Sequence, residues 1–417
     1  MLILRPLGPE DIEDVLMIYA NAYPANVEGD VGLHRRREKI LRDFSEDREV
    51  TMIGAFDEKE RLLGTMKLVP FTMNLFGKAS PALGLMALGV HPLAKRRGIA
   101  RKMVAYFEEM AKTRGDLITL LLPFDIGFYK RLGYAISYRL DTYRIETRGL
   151  PHYWSSTHRL VGLSEEDLGE FLACQWRMME KTHGMLSIMG EEIRGAKDGL
   201  SFYVGVRDRH DILRGGMKYH FAPYNDTNYM VNRLVVDHLI YEDTPSLRLL
   251  LSFLRRQEDQ APETILSTGD PYLCDVMENP ADVRRGYVDY GYLESHLRSL
   301  GTMVKLPNPR AFVEGTGHRE FLPLSLTLRI EDIHGEFSPF TLAFYEEEGV
   351  GRWRAVDEEA DLRLTTDAGT LGSLFLGSLS FEALMHLELG HLSDPSKTRL
   401  LDSLFHVPTR PWTNTDY

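Results

Sequence analysis

The stretch from Leu83 to Ala111 constrains this chain more than any other. Leu83, Leu85, Leu88 and Val90, with few charges nearby, read as a buried strand that stops at Pro92. A basic turn follows, Lys95-Arg96-Arg97-Gly98-Ile99-Ala100-Arg101. Met103, Val104, Phe107, Met110 and Ala111 then recur at helical spacing, with charges between them. A strand therefore feeds a tight turn that opens a helix. The first N–H groups of such a helix have no partner within it. The positive end of the helix dipole lies at the same place, and Gly98 admits an anion close to the backbone. Arg96, Arg97 and Arg101 add charge. The stretch predicts a pyrophosphate cradle; a basic helix start on an ordinary surface is the plainer alternative.

Two other phosphate cradles are excluded. The chain has no GxxxxGK[ST] and no GxGxxG. The turn instead resembles the acetyl-CoA loop of the GNAT acetyltransferases, [RQ]-x-x-G-x-[GA], as Lys95-x-x-Gly98-x-Ala100. Lys95 departs from the usual Arg or Gln, which weakens one side-chain contact and leaves the backbone contacts in place.

Composition sets the frame. At ~150 residues per domain, 417 residues suggest two or three domains. A net charge of −12 argues against nucleic acid as a partner and suits cationic ligands. With two cysteines, Cys174 and Cys274, neither a disulfide framework nor a zinc site is expected. A reducing cytoplasm is the expected location. The opening residues lack the basic start and apolar core of a signal peptide. No run reaches the ~20 apolar residues that span a bilayer.

The first domain is expected over residues 1–148. Strands are predicted at 2–6, 50–56, 62–75, 82–90 and 118–122, and helices begin at Pro9 and near Leu33. This order fits the GNAT fold. Phe128-Tyr129-Lys130-Arg131-Leu132-Gly133-Tyr134 resembles the GNAT element Y-x-x-x-G-[FY]. By that resemblance Tyr129 is the general acid. A phenol of pKa about 10 is protonated at neutral pH and lies near a thiol in acidity. The resemblance places cofactor contacts at Phe124 and Asp125. Family members usually carry small or amide residues there, so these contacts fall mainly to the backbone. The strand before the cradle has no Asp, Glu or His. His91 reads as a surface or capping residue, so the base comes from elsewhere. Glu28 and Asp30 read as surface acids.

The second domain is expected over residues 149–300. It repeats the element order of the first with faint identity, including helices to about Thr182 and near Glu191–Ala196. Strands read at 201–206, 212–221 and 229–237. At the position of the cradle stands Val236-Asp237-His238-Leu239-Ile240-Tyr241-Glu242-Asp243-Thr244-Pro245. It is acidic and lacks glycine, so it cannot hold a pyrophosphate. Asp237 and His238 form either a site pair or, more simply, a loop capped by its own Asp. The third domain is expected over residues 301–417. It shows strands at 324–330, 340–345 and 361–365 and helices at 367–377, 380–388 and 395–405, and it looks like a sterol-carrier-type α+β domain. The tail carries Trp412 and Tyr417, which implies that it docks.

A GNAT domain, a degenerate second one and a sterol-carrier-like third ending on an aromatic resemble the Eis (enhanced intracellular survival) family of acetyltransferases. The fold class implied is α+β and α/β, with two tandem GNAT-like domains and the third domain. In that family the C-terminal carboxylate is the general base, which maps to Tyr417. A free α-carboxyl titrates near 3.5, and burial or a relaying water must make up the difference. The resemblance implies that backbone groups of Leu88, Gly89 and Val90 hold the pantetheine of acetyl-CoA, the cosubstrate. Arg96, Arg97, Gly98, Ile99, Ala100 and Arg101 would hold its pyrophosphate. It implies no metal, a small cationic amine or protein lysine as acceptor, and a homohexamer. The reading of another class is a non-catalytic protein that binds acyl-CoA or lipid.

Overall fold

The computed structural model describes residues 2–26, 29–45, 50–188, 200–225, 227–284, 287–288 and 291–415. Glu28, the side chain of Asp30, the expected helix at 191–196 and Tyr417 lie outside the described residues. The chain forms two compact units. One comprises residues 1–72, 80–137 and 302–408, the other 73–79, 138–301 and 409–417.

In the first unit, β1 (Ile3–Pro6), β2 (Thr51–Phe56), β3 (Leu62–Leu75), β4 (Lys78–Val90), β5 (Ile118–Leu121) and β6 (Ala135–Ile136) belong to one seven-stranded sheet. Its order is β1-β2-β3-β4-β5, then Met303–Lys305, then β6. Helices α1 (Ile12–Ala22) and α2 (Gly29–Ser45) precede β2. Helix α3 (Ile99–Arg114) links β4 to β5, and α4 (Ile126–Lys130) precedes β6. β4 and β5 run parallel, the pairing expected of strands joined by a crossover helix.

The apolar stripe of α3 explains its seat. Met103, Val104, Phe107 and Ala111 are buried against Leu83 and Leu85 of β4, Leu121 of β5 and Met303. Each large side chain buried there contributes about 1.5–3 kcal/mol. The helix stops at Gly115, whose φ of +79° suits a residue without Cβ.

The three-residue strand Met303–Lys305 falls outside the sequence expectations. It pairs antiparallel with both β5 and β6. In the second unit, β7 (Arg139–Glu146) takes the equivalent place. That sheet contains β8 (His158–Leu163), β9 (Phe202–Asp208), β10 (Leu213–Pro223), β11 (Asn232–Tyr241) and β12 (Glu263–Thr268). Its order is β8-β9-β10-β11-β12-β7, then Leu297–Leu300. The two sheets thus share one order, with β11 and β12 parallel as β4 and β5 are. Helix α5 (Leu168–Lys181) precedes β9.

The strand expected at 229–237 runs later, so Asp237 and His238 lie within β11 and not in a loop. Asp237 pairs with His220 Nδ1 at 2.9 Å. The cap of the following helix, Thr244–Arg255, is Asp243, whose carboxylate accepts from Ser246 N. A helix start already filled by its own carboxylate has no place for a pyrophosphate. The tail docks as expected. Trp412 is buried with Phe171, Cys174 and Met178, and Asn414 donates to Leu239 O at 2.7 Å.

The remainder of the first unit is a five-stranded sheet, ordered Val350–Val356, Phe340–Glu347, Leu326–Asp332, Leu362–Thr366, Gly390–Leu392. Its first and last strands in that order fall outside the sequence expectations, the first because glycine and charge mask its alternation and the last because it is three residues long. Helices at Ala368–Leu376, Phe381–His386 and Thr398–Phe405 complete it, the second shorter than expected. The interior is filled by rings. Trp353 lies 5.3 Å from Phe375 and 6.3 Å from both Phe344 and Phe405, centroid to centroid. Truncating its side chain leaves a void that these rings cannot close. Trp353→Ala is expected to cost about 3–5 kcal/mol in urea denaturation. A loss below 1 kcal/mol would contradict this packing.

Candidate active site

The site starts from a mismatch in length. β4 has 13 residues and β5 has four. Their pairing runs from Ala82↔Ile118 to Leu85↔Leu121 and stops. β4 continues to Val90, while the chain leaves β5 through Leu122, Pro123 and Phe124. Among the described residues, the β5-facing edge of Met86–Val90 has no strand partner. Backbone groups there need a partner, and an extended ligand can supply one. Ala87 has φ +49°, a left-handed conformation inside a strand that bends β4 at this point.

The predicted cradle lies at the end of that edge. His91 caps the short turn Pro92–Ala94 by accepting from Leu93 N at 3.2 Å, as a capping residue would. The turn then passes through Arg96 at φ +63° and Gly98 at φ +76° into α3. Gly98 is the N-cap of α3, and no side chain caps the helix. A methyl at Gly98 would meet nothing within 4 Å, so the space before the helix is open. Lys95, Arg96, Arg97, Arg101 and Lys102 are all exposed around it, whereas Ile99 is buried and Ala100 half-buried. Arg97 and Lys102 also flank a cavity of about 380 Å³ against Leu2, Leu63 and Ile99. Such a constellation can attract an anion by charge and hold it by backbone N–H groups.

Tyr129 lies on α4, and its ring is 2% exposed. It packs edge-on to Phe124, Phe128 and Tyr134. Burial pushes its hydroxyl well above the ordinary phenol range, and Tyr23 and Asp125 push it the same way. Tyr129 therefore stays protonated, but it does not match a thiol in acidity as the sequence suggested. Asp125 caps α4 through Phe128 N at 2.9 Å, and Phe124 is 73% exposed. Of these two expected cofactor contacts, the Asp125 carboxylate is thus already engaged in holding the helix that carries Tyr129.

Sequence reasoning missed Tyr23. It ends α1 and donates its hydroxyl to Leu88 O at 3.1 Å. Burial pushes its hydroxyl up to about 12, and it lies close enough to Tyr129 to help raise that hydroxyl as well. Nothing in the local pattern marks it, because its partner is 65 residues away. Among the described residues, no group of His, Cys, Asp and Glu has a metal-binding arrangement. Among the same described residues, no helix is long and apolar enough to cross a membrane.

Residues 4–137 match the family model described as an acetyltransferase (GNAT) domain. A curated protein of Streptomyces avermitilis named an uncharacterized N-acetyltransferase is 24% identical over 395 residues, 86% of this chain and 87% of that one. Solved structures agree in fold over the full length. A probable N-acyltransferase from Enterococcus faecalis V583 has a TM-score of 0.80 at 16% identity, covering 100% of this chain and 99% of its own. Eis1 from Mycobacterium abscessus has 0.74 at 20%, covering 100% of both chains. The fold is a mixed α/β, GNAT-like one, and the chain is an N-acetyltransferase.

The open, left-handed Gly98 gives a direct test of the cradle. Gly98→Ala is expected to cost about 1–2 kcal/mol of stability through its backbone. It is also expected to weaken coenzyme A binding about tenfold by calorimetry. Unchanged binding would place the pyrophosphate elsewhere.

Proposed function

We propose that this N-acetyltransferase transfers the acetyl group of acetyl-CoA directly to an amine, with Tyr129 as acid and the terminal carboxylate of Tyr417 as base. The observation that carries the reading is the edge of β4 without a strand partner, which leads to an open helix start and meets Tyr23, a group close enough to act on Tyr129. Pantetheine is an amide-bearing, extended chain about the length of that edge. Its amides can pair with Leu88, Gly89 and Val90 while its pyrophosphate meets the start of α3 and Arg96, Arg97 and Arg101.

The chemistry then follows. The neutral amine nitrogen attacks the thioester carbonyl, and a C–N bond forms. The tetrahedral intermediate collapses, the C–S bond breaks, and the sulfur leaves with its electron pair. Tyr129 donates a hydrogen bond to that sulfur and gives it a proton. The amine's released proton passes to the base, the base returns it to the Tyr129 oxygen as that oxygen protonates the sulfur, and amide and free thiol result with both groups reset. The base must take that proton. In β4 the residues from Ala82 to Val90 offer no carboxylate or imidazole. This supports a base from the chain end, in keeping with the resemblance to the Eis family. The same resemblance supports a small cationic amine or a protein lysine as acceptor, and a hexamer. The net charge of −12 favours a cationic acceptor. A sterol-carrier likeness of the third domain belongs to the same reading. The alternative of a lipid-binding protein is disfavoured by the filled interior around Trp353.

Thiol release from acetyl-CoA with polyamines, aminoglycosides and lysine peptides tests the transfer. Tyr129→Phe is expected to lower kcat at least 100-fold with acetyl-CoA binding intact. A short extension after Tyr417 should abolish turnover likewise, and full activity of the extended chain would remove Tyr417 as base. The raised pKa also fixes a sign. A phenol held above its ordinary value keeps its proton as pH rises, so kcat is expected to show no alkaline fall from Tyr129 up to pH ~10. A fall centred near pH 8 that disappears in Tyr129→Phe would contradict this.

A further inference from the structure

We infer that Lys305 is a positioning residue for Tyr129, and that Lys305, Glu108 and Glu336 brace the turn that carries the acid. The inference rests on the role of Tyr129 proposed above.

The turn after α4 closes on the backbone of Tyr129 itself. Leu132 N and Tyr134 N both donate to Tyr129 O, at 2.9 and 3.1 Å. The carbonyl of Leu132, in the same turn, takes its partner from a side chain. Lys305 Nζ donates to it at 2.7 Å. The same ammonium meets Glu108 Oε2 of α3 at 3.1 Å and Glu336 Oε2 at 2.7 Å. The ammonium thus makes two hydrogen bonds and one further ion pair, toward three separate segments of the unit. The Lys305 side chain is only 11% exposed, and Glu108 is 17% exposed. The ammonium also sits 5.8 Å from the centre of the Tyr134 ring, and that ring packs against Tyr129.

Glu336 comes close to the backbone of the turn, where its carboxylate lies against Gly133. Gly133 has φ +78°, and this left-handed backbone is what calls for glycine there. Lys305 and Glu336 come from residues far along the chain, on the inserted strand Met303–Lys305 and on the turn after Leu326–Asp332. About half the chain away from the cradle, they hold the segment that carries Tyr129. Burial raises the Glu108 carboxyl, and the Lys305 cation opposes that shift. Removing the ammonium would leave two carboxylates facing each other behind the turn, with Leu132 O unpaired.

Two readouts separate positioning from general damage. The first is a double-mutant cycle on kcat with the full-length chain. Lys305→Met is expected to lower kcat about 30-fold in the wild type and less than threefold in Tyr129→Phe, because a misplaced acid cannot be lost twice. Lys305→Arg, which keeps charge and donors, should recover most of the rate. Equal losses in both backgrounds would overturn the inference. The second needs no turnover. Amide exchange of the peptide spanning 126–136 should accelerate about tenfold in Lys305→Met and in the milder Glu336→Gln. Exchange unchanged in both would overturn the brace. If the wild type released no thiol with any amine, the function reading would fail by itself. The exchange result would then still decide whether Lys305 holds the turn.

Discussion

Two parallel strands of unequal length impose the constraint on which the site depends. Four residue pairs join β4 to β5, and after Leu85 the partner is gone. In a sheet centre an unpaired strand edge is costly, because buried N–H and C=O groups must be satisfied. Here α3 and α4 pack in one core with β4, and Ala87 within the edge is left-handed. In the proposed reaction each of these has a use. The start of α3 offers backbone N–H groups, α4 carries Tyr129, and the bent β4 presents the Leu88 carbonyl to Tyr23.

The second unit shows what the same architecture becomes without that use. Its sheet has the same order, and β11 outruns its pairing with β12 as β4 outruns β5. Where the first unit has Gly98 open to solvent, the second has Asp243 bonded to Ser246 N. Beside it, Glu242 binds Arg177, Lys181 and Arg214. The anion site is filled from within, and the cations are spent on a structural carboxylate. The fold is thus neutral about function, and a few residues at one turn decide it.

Much of this was legible in the sequence because it is local. The buried strand, the basic glycine turn and the 3.6-residue stripe of α3 lie within 30 residues, and each obeys a short-range rule. The tail's docking was legible from Trp412. What was not legible is non-local or short. Met303-Val304-Lys305 is too brief to show a period, yet it sits between β5 and β6. Tyr23 and Lys305 act through carbonyls 65 and 173 residues away. Asp237 and His238 looked like a loop because polar residues interrupt β11, although His238 is buried. The acidity of Tyr129 was misjudged because composition gives a residue's ordinary value, whereas burial sets its actual one.

In the proposed reaction acetyl-CoA lies along the unpaired edge of β4. Amide hydrogen exchange with and without acetyl-CoA measures this most directly. Protection is expected at Met86–Val90 and at 96–101, with none at 236–244 in the second unit. Protection confined to the second unit, or absent from β4 while the cofactor is bound, would contradict the account.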